Sequence, residues 1–560
     1  MRQFNNLLNV KRSFKIIKKN ALEILFVISS LVFSFWLMFS TFSYQNGSFR
    51  ISSKVWSDFA SALPLIRSFS QGANFPPEYP LFPGEPIRYH FLFYLMVGGL
   101  EKIGFPIDFS LNILSSISFL FLMMMIYLLA KKMFNSKSVG ILSVVLFLFN
   151  GSLSFIEFFR LHPPSLNTIN DIIINVNFPS FGPYDGKIVS AFWNLNIYTN
   201  QRHLALSFAL LLFLIYLNYP TQFLKKNIFL ISINSFLVVT LFFLNQPAFM
   251  IALLFLLFFL IFEIKKILNF GIPFVIGVIL FFIYSLSFSL QSLSLRLGFL
   301  TPAPLNAISF LNYWISNFGL YLILIPVSFL IIPKKLRLFL LPLLVLFLAG
   351  NLFQFSRDII NNHKFFNFIL IVGGIFVSNL IVSVWKKGKI INKTACVIIF
   401  TVLVLSGIID LMPIKNDSII IMQDAPNNPD IAFILNNTNP KDIILNSRFL
   451  YHPASLAGRP IFYGYPYFAW SYGYNTQERE RIYLEIFRSP SKQTACNLLK
   501  KYNISYIELS DVPEEFINPN LDLWEKEFKK IYYNSSSDYA LYDVADSCLS
   551  INSSQTIKSN

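Results

Sequence analysis

Long unbroken apolar runs, rather than alternating or amphipathic patterns, dominate the chain up to residue 411 and then stop. A helix needs about 20 apolar residues to cross a hydrocarbon core of roughly 30 Å. The runs predict eleven spans, at 22–42, 108–130, 138–156, 203–219, 227–245, 247–262, 270–289, 310–331, 336–355, 364–384 and 394–411. Beyond them, β-like stretches at 442–446, 460–465, 505–509, 529–534 and 540–544 alternate with helical patterns at 476–487 and 491–502, which predicts a small α/β domain. Its end, KKIYYNSSSDYALYDV, reads as a hairpin, with a Ser/Asn-rich turn between two aromatic-rich strands. The expected fold is a mainly α polytopic bundle at 1–411, with a first external loop at 43–107, followed by an extracytoplasmic α/β domain at 412–560.

Composition agrees with the bilayer: of 560 residues, 54% are hydrophobic and 13% charged. The net charge of +16 does not point to nucleic acid, because residues 412–560 hold 14 Lys+Arg against 17 Asp+Glu. The excess lies beside the apolar runs, at Lys131-Lys132, Lys225-Lys226, Lys265-Lys266, Lys334-Lys335-Arg337 and Lys386-Lys387-Lys389. Such clusters mark cytoplasmic loops. Segment 89–104 is read as a short interfacial or re-entrant helix, since counting it as a span would invert every later loop. The N-terminus is then cytoplasmic and the C-terminal domain extracytoplasmic, in a multi-pass plasma-membrane protein. The first run follows a basic N-terminus but is too long for a signal peptide and lacks a small-x-small cleavage site, so a retained anchor is expected. Cys496 and Cys548 fall in the external region, where an oxidising compartment would permit pairing.

The sequence has no Walker loop, no strand-linked GxGxxG and no Asp-x-Asp, and its cytoplasmic loops are too short for a nucleotide site. An activated substrate would therefore come from the membrane or from outside. Cations gather where helices begin on the external face: Arg88 and His90 in PIRYHFLFY, Arg202-His203 in YTNQRHLALSF, and His363-Lys364 with Arg357 in RDIINNHKFFNF. A helix N-terminus already favours anions. A positive side chain there calls for a negative group, such as a bound phosphate, unless it is only an interfacial anchor reaching toward headgroups. Asp58, in VWSDFASALPLIRSF, opens a helical pattern, where it or Ser57 could be an N-cap as readily as Asp58 could be a base. The proline-rich FPPEYPLFPGEP adds Glu78 and Glu85 on a stiff loop. One base and several cations suit inverting transfer of a sugar from a lipid phosphate, since a phosphate leaves without an acid. The aromatic stretch GYPYFAWSYGY is expected to pack rather than to stack on sugars.

WSDFASALPLIRSFS, PPEYPLFPGEPIRYHFLFY, ASLAGRP and GYPYFAW, in this order among the spans, resemble the GT-C superfamily of membrane glycosyltransferases, which includes aminoarabinose transferases and protein O-mannosyltransferases. The resemblance implies a polyprenyl-phosphate-linked sugar donor, an extracytoplasmic acceptor (glycan, lipid or protein), and Asp58 as general base. Glu78, Arg88, His90, Arg202, His203, Arg357, His363 and Lys364 are the expected substrate-binding residues. The second loop carries only the scattered Glu157, Asp171 and Asp185, without the paired acids of metal-using relatives, so no metal or other cofactor is expected. The alternatives are a transporter or flippase of a lipid-linked or polar solute, and a non-catalytic assembly protein or receptor. Against the first stand spans almost free of internal charge; against the second, far more spans than an anchor needs.

Overall fold

A computed structural model describes residues 2–179, 188–219, 227–263, 266–287, 293–510 and 513–549. Every apolar run of the sequence forms helix, but the runs differ in reach. Among the described residues six helices are long and apolar enough to cross a membrane: Ala21–Phe39, Ile107–Phe134, Ile267–Ser285, Lys334–Leu352, Ile359–Trp385 and Ile390–Lys415. Ala307–Phe318 and Tyr321–Leu330 meet the same test together, as a pair bent by 83°. Gly319, at φ +53°, makes that corner. The other four helices, Lys137–Leu148, Arg202–Asn218, Ile228–Leu244 and Gln246–Phe262, have 12 to 17 residues. At ~1.5 Å per residue they fall short of a hydrocarbon core on their own. Three of them end within a residue or so of the runs read from the sequence, and the fourth, expected at 138–156, is cut short. Asn245 ends one helix and caps the next by accepting a hydrogen bond from the Ala248 N–H, with Pro247 in the first turn. The expected span at 138–156 stops at Leu148 because Gly151 and Gly407 bring two backbones together; a Cβ on Gly407 would lie 2.2 Å from the Phe149 carbonyl.

We label the helices that build the site α1 (Arg2–Phe39), α2 (Trp56–Ser70), α3 (Leu92–Lys102), α4 (Ile107–Phe134), α5 (Lys137–Leu148), α6 (Arg202–Asn218), α7 (His363–Trp385) and α8 (Ile390–Lys415). Helix α3 is the short element read from segment 89–104. Its 11 residues lie against α2, and Gly98 makes the close approach: a Cβ there would meet the Ile66 carbonyl oxygen at 2.8 Å.

The first loop and the C-terminal region share one apolar core, in which Phe42, Phe49 and Leu63 pack with Ile444, Tyr483 and Trp524. Hairpin strands β1 (Phe42–Gln45) and β2 (Ser48–Ser52) receive the tail strand β3 (Ile419–Gln423) antiparallel to β2, with Ser48 opposite Gln423 and Ser52 opposite Ile419. The second sheet runs β4 (Ile443–Leu445), β5 (Ile504–Ser510), β7 (Tyr539–Asp543), β6 (Lys529–Asn534). Strands β4 and β5 are parallel, and β6 and β7 form the expected terminal hairpin. The stretch 460–465, expected to be a strand, contributes only a single bridge, Ile461 to Ile444. Pro460 lacks a donor, and Gly464 sits against Leu81, so the segment serves as a contact with the first loop. Cys496 and Cys548 are disulfide-bonded, with Cα atoms 5.7 Å apart.

Candidate functional site

Helix α2 begins behind a 3-10 turn at Ser53–Val55, and its N-cap is Val55, which makes no side-chain cap bond. Neither Ser57 nor Asp58 caps the helix, so the structural role open to Asp58 in the sequence is not the one it fills. Its carboxylate accepts no hydrogen bond among the described residues. It lies in a recess within electrostatic reach of Lys364, Tyr89, Tyr94, Tyr451 and Tyr472, and it keeps some accessible surface. Burial raises its pKa to about 6, against the opposing pull of Lys364. The Tyr451 hydroxyl donates to the Trp56 carbonyl at 2.5 Å, and the two rings stand 4.0 Å apart, fixing the first turn that aims Asp58.

Lys364 enters from the start of α7. Its Nζ donates to the Tyr89 hydroxyl at 2.6 Å and to Asn361 Oδ1 at 2.9 Å. The negative charge expected near this helix end is partly resident: Asp358 caps the preceding turn through the Ile360 N–H and, like Asp58, acts on Lys364. Tyr89 and Tyr472, 5.2 Å apart, form a wall. Behind it lies a cavity of about 350 Å³ lined by Met250, Phe281, Tyr284 and Phe365 from apolar helices, with Arg88 and Arg357 at its edge. Arg88 Nη1 donates to the Gly473 carbonyl at 2.6 Å, Nη2 pairs with Glu85 at 2.8 Å, and the guanidinium lies over Tyr474. Arg357 Nη1 donates to the Tyr474 carbonyl at 3.0 Å. The same two arginines border a polar hollow of about 430 Å³ with Trp470, Asn475, Thr476 and Gln477. They thus mark the boundary between an apolar space and a polar one, where the head of an amphiphilic anion would sit.

His90 follows Tyr89 and stacks on His203 with ring centroids 3.7 Å apart; Tyr94, on α3, faces His203 Nδ1 through its hydroxyl at 3.4 Å. Burial, with His203 and Lys364 adding to it, holds the His90 pKa far below the usual imidazole range, so the ring is neutral. A neutral ring is no counter-ion for phosphate.

Three expected binding residues lie outside this recess. Glu78 is exposed; its Oε2 accepts from the Gly84 N–H at 2.9 Å, closing a loop beside a separate surface cleft with Phe75 and Lys441. Glu78→Gln is accordingly expected to change transfer or binding at the Asp58 recess less than about twofold, measured on the purified protein. Arg202, 1% exposed, is consumed by the protein itself. Its Nη2 donates to Thr41 Oγ1 at 2.7 Å, Nη1 to Asn112 Oδ1 at 3.3 Å, and Nε to the Thr199 carbonyl at 2.8 Å. It joins α6 to α1 and α4 rather than holding an anion. His363 packs on Phe192, with Nδ1 3.0 Å from Asn367 Nδ2. The residues that sequence reading passed over are Tyr89, Tyr94, Tyr451, Tyr472 and Asn361. Tyr89 sits between the singled-out Arg88 and His90, and Tyr472 lies within the aromatic stretch assigned to packing. That stretch divides: Tyr463 and Tyr474 are buried, while Trp470 opens onto the polar hollow.

Among the described residues no three of His, Cys, Asp and Glu are grouped to hold a metal ion. Glu157 pairs with Arg160 at 2.7 Å, Asp171 lies on a short helix, and Asp185 is outside the described residues.

Neither a family model nor a curated protein matches the sequence. Solved structures resemble the chain over most of its length. ArnT from Cupriavidus metallidurans, bound to undecaprenyl phosphate, is 10% identical, with a TM-score of 0.49 over 94% of this chain and 98% of that one. An oligosaccharyltransferase from Archaeoglobus fulgidus, tethered to an acceptor peptide, is 12% identical, with a TM-score of 0.44 over 94% of this chain and 74% of that one. The archaeal oligosaccharyltransferase AglB from the same organism, in complex with an inhibitory peptide and a dolichol-phosphate, gives 12% and 0.39 over the same shares. These values assign no chemistry to the present chain.

Proposed function

We propose that the chain is a membrane glycosyltransferase that takes a sugar from a polyprenyl-phosphate donor and attaches it, with inversion, to an extracytoplasmic acceptor. One observation carries the reading: an Asp58 carboxylate with no hydrogen-bond partner among the described residues lies near the Lys364–Tyr89 pair, across the Tyr89–Tyr472 wall from an apolar cavity edged by Arg88 and Arg357. The polyprenyl chain would occupy the apolar cavity and the phosphate would lie by the arginines. As the acceptor oxygen bonds to the anomeric carbon, its proton passes to Asp58, and the bond from that carbon to the phosphate oxygen breaks. The departing phosphate keeps the electron pair, with its charge held by Arg88, Arg357 and Lys364.

The site faces away from the cytoplasm in this reading. In support, α4 runs from the first loop to Lys131, which, with Lys137, pairs with Glu23 at 2.5 Å, at the end where cytoplasmic cations gather. The Cys496–Cys548 bond suits an oxidising compartment.

Purified protein in nanodiscs, given radiolabelled polyprenyl-phosphate sugars and membrane extracts as acceptor, should release polyprenyl phosphate and label the acceptor. Flux of intact lipid across vesicles without any covalent change would instead establish a flippase. Arg88→Ala and Arg357→Ala are each expected to weaken binding of decaprenyl phosphate about 10–100-fold, the worth of one charged hydrogen bond. Unchanged affinity in both variants would remove the phosphate from this edge.

A further inference from the structure

Buried polar atoms without partners are uncommon, because each forfeits a hydrogen bond it makes in water. Three occur around the Asp58 recess: His90 Nδ1, His203 Nε2 and the Tyr79 hydroxyl. They are not scattered. The two imidazoles stack at 3.7 Å, Tyr94 stands 5.8 Å from the His90 ring, and Tyr472 lies 6.2 Å from His90 and 5.3 Å from Tyr79. Tyr472 and Tyr94 are also neighbours of Asp58. His90 follows Tyr89, the hydroxyl that accepts from Lys364. These unpartnered nitrogens therefore share the Tyr94 and Tyr472 neighbours of Asp58 and lie within electrostatic reach of Lys364, between the base and the phosphate-side lysine, where the sugar of the donor would be held.

We infer that His90 and His203 bind hydroxyl groups of the donor sugar and thereby select the sugar, rather than holding its phosphate. This rests on the glycosyltransferase reading above and names the part of the substrate that these residues meet. The chemistry fits a hydroxyl better than an anion. Whichever ring nitrogen carries the proton, a hydroxyl can donate to the bare nitrogen or accept from the protonated one, whereas a phosphate only accepts. His203 has its Nδ1 toward the Tyr94 hydroxyl, so its remaining Nε2 is the atom left without a partner. Stacking fixes both rings, so little side-chain entropy is lost on binding.

The test compares two lipids on the full chain in nanodiscs: decaprenyl phosphate alone, and decaprenyl phosphate carrying a hexose or a pentose. His203→Phe preserves a flat ring for stacking and removes the nitrogens; His203→Gln restores a polar group. For His203→Phe we expect affinity for the preferred sugar-bearing lipid to fall about tenfold or more, with affinity for the bare lipid within about twofold. His203→Gln should recover part of the loss. Equal losses for both lipids would show a packing role, and no loss for either would show that the nitrogens hold only water; each overturns the subsite. If the parent protein does not bind the bare lipid phosphate, the glycosyltransferase reading itself fails. Melting of each variant is measured alongside, and His90→Phe supplies an independent reading should His203→Phe not fold.

Discussion

Asp58→Asn is expected to lower the rate of sugar transfer about 10²–10⁴-fold, the usual worth of a positioned base. Binding of decaprenyl phosphate should change little, since Asp58 lies behind the Tyr89–Tyr472 wall rather than beside Arg88 and Arg357. The fold should tolerate the amide. No described group donates to the carboxylate, and burial disfavours its charged form, so at neutral pH the ionised side chain weakens the native state. The asparagine variant is therefore expected to melt no lower than the parent at pH 7, and this separates loss of chemistry from loss of structure. The pH dependence follows from the same group. With its pKa raised to about 6, Asp58 is a competent base above that value and becomes protonated below it. Transfer by the parent should fall by a factor approaching ten for each pH unit below about 6. The residual rate of the asparagine variant should lack that acid limb. A variant that keeps the parent's rate, or the parent's acid limb, would place the base elsewhere.

Whether an apolar run becomes helix was readable in the sequence, and so were most helix ends: the break at Asn245 falls between the runs 227–245 and 247–262. Where the 138–156 run stops was not, because Gly407 admits the Phe149 backbone and that contact comes from a distant part of the chain. The terminal hairpin was legible because strands and turn are contiguous. The sheet joining Ser48–Ser52 to Ile419–Gln423 was not, because its partners lie at opposite ends of the chain. The site shows the same divide. Asp58, Arg88, Arg357 and Lys364 are marked by residue type near helix starts; Arg88 and Arg357 line the same two cavities, and Lys364 lies within electrostatic reach of Asp58. Arg202 met the same criterion, but its acceptors Thr41 and Asn112, 161 and 90 residues away, were invisible until the chain was folded. A cation's sequence neighbours do not reveal whether the protein itself already satisfies it.

Arg67→Met is expected to be the most destabilising single change among the residues that position the site. Arg67 is buried near the C-terminal end of α2, with Nη2 2.6 Å from Asp424 and Nε 3.3 Å from Glu101. Ser70 donates to Glu101 at 2.6 Å, and the Asp424 N–H donates to the Gly47 carbonyl at 2.9 Å. One guanidinium thus joins α2, α3, the first hairpin and the start of the C-terminal region. Methionine fills much of the volume but leaves two carboxylates enclosed without their cation, which costs about 3–5 kcal/mol. Burial already holds the Glu101 pKa above the ordinary carboxylate value while Arg67 pulls it down; without Arg67 it rises further. Raised carboxylate pKa values destabilise above the unfolded-state value, so the penalty should be largest at neutral pH and shrink as the medium is acidified toward pH 4. Adding Asp424→Asn and Glu101→Gln should restore much of the lost stability, because it removes the stranded charges. Thermal melting in detergent, followed against pH for the single and triple variants, measures all three effects. A single variant within about 1 kcal/mol of the parent at pH 7 would show that this cluster is screened by water and does not hold α2 in place.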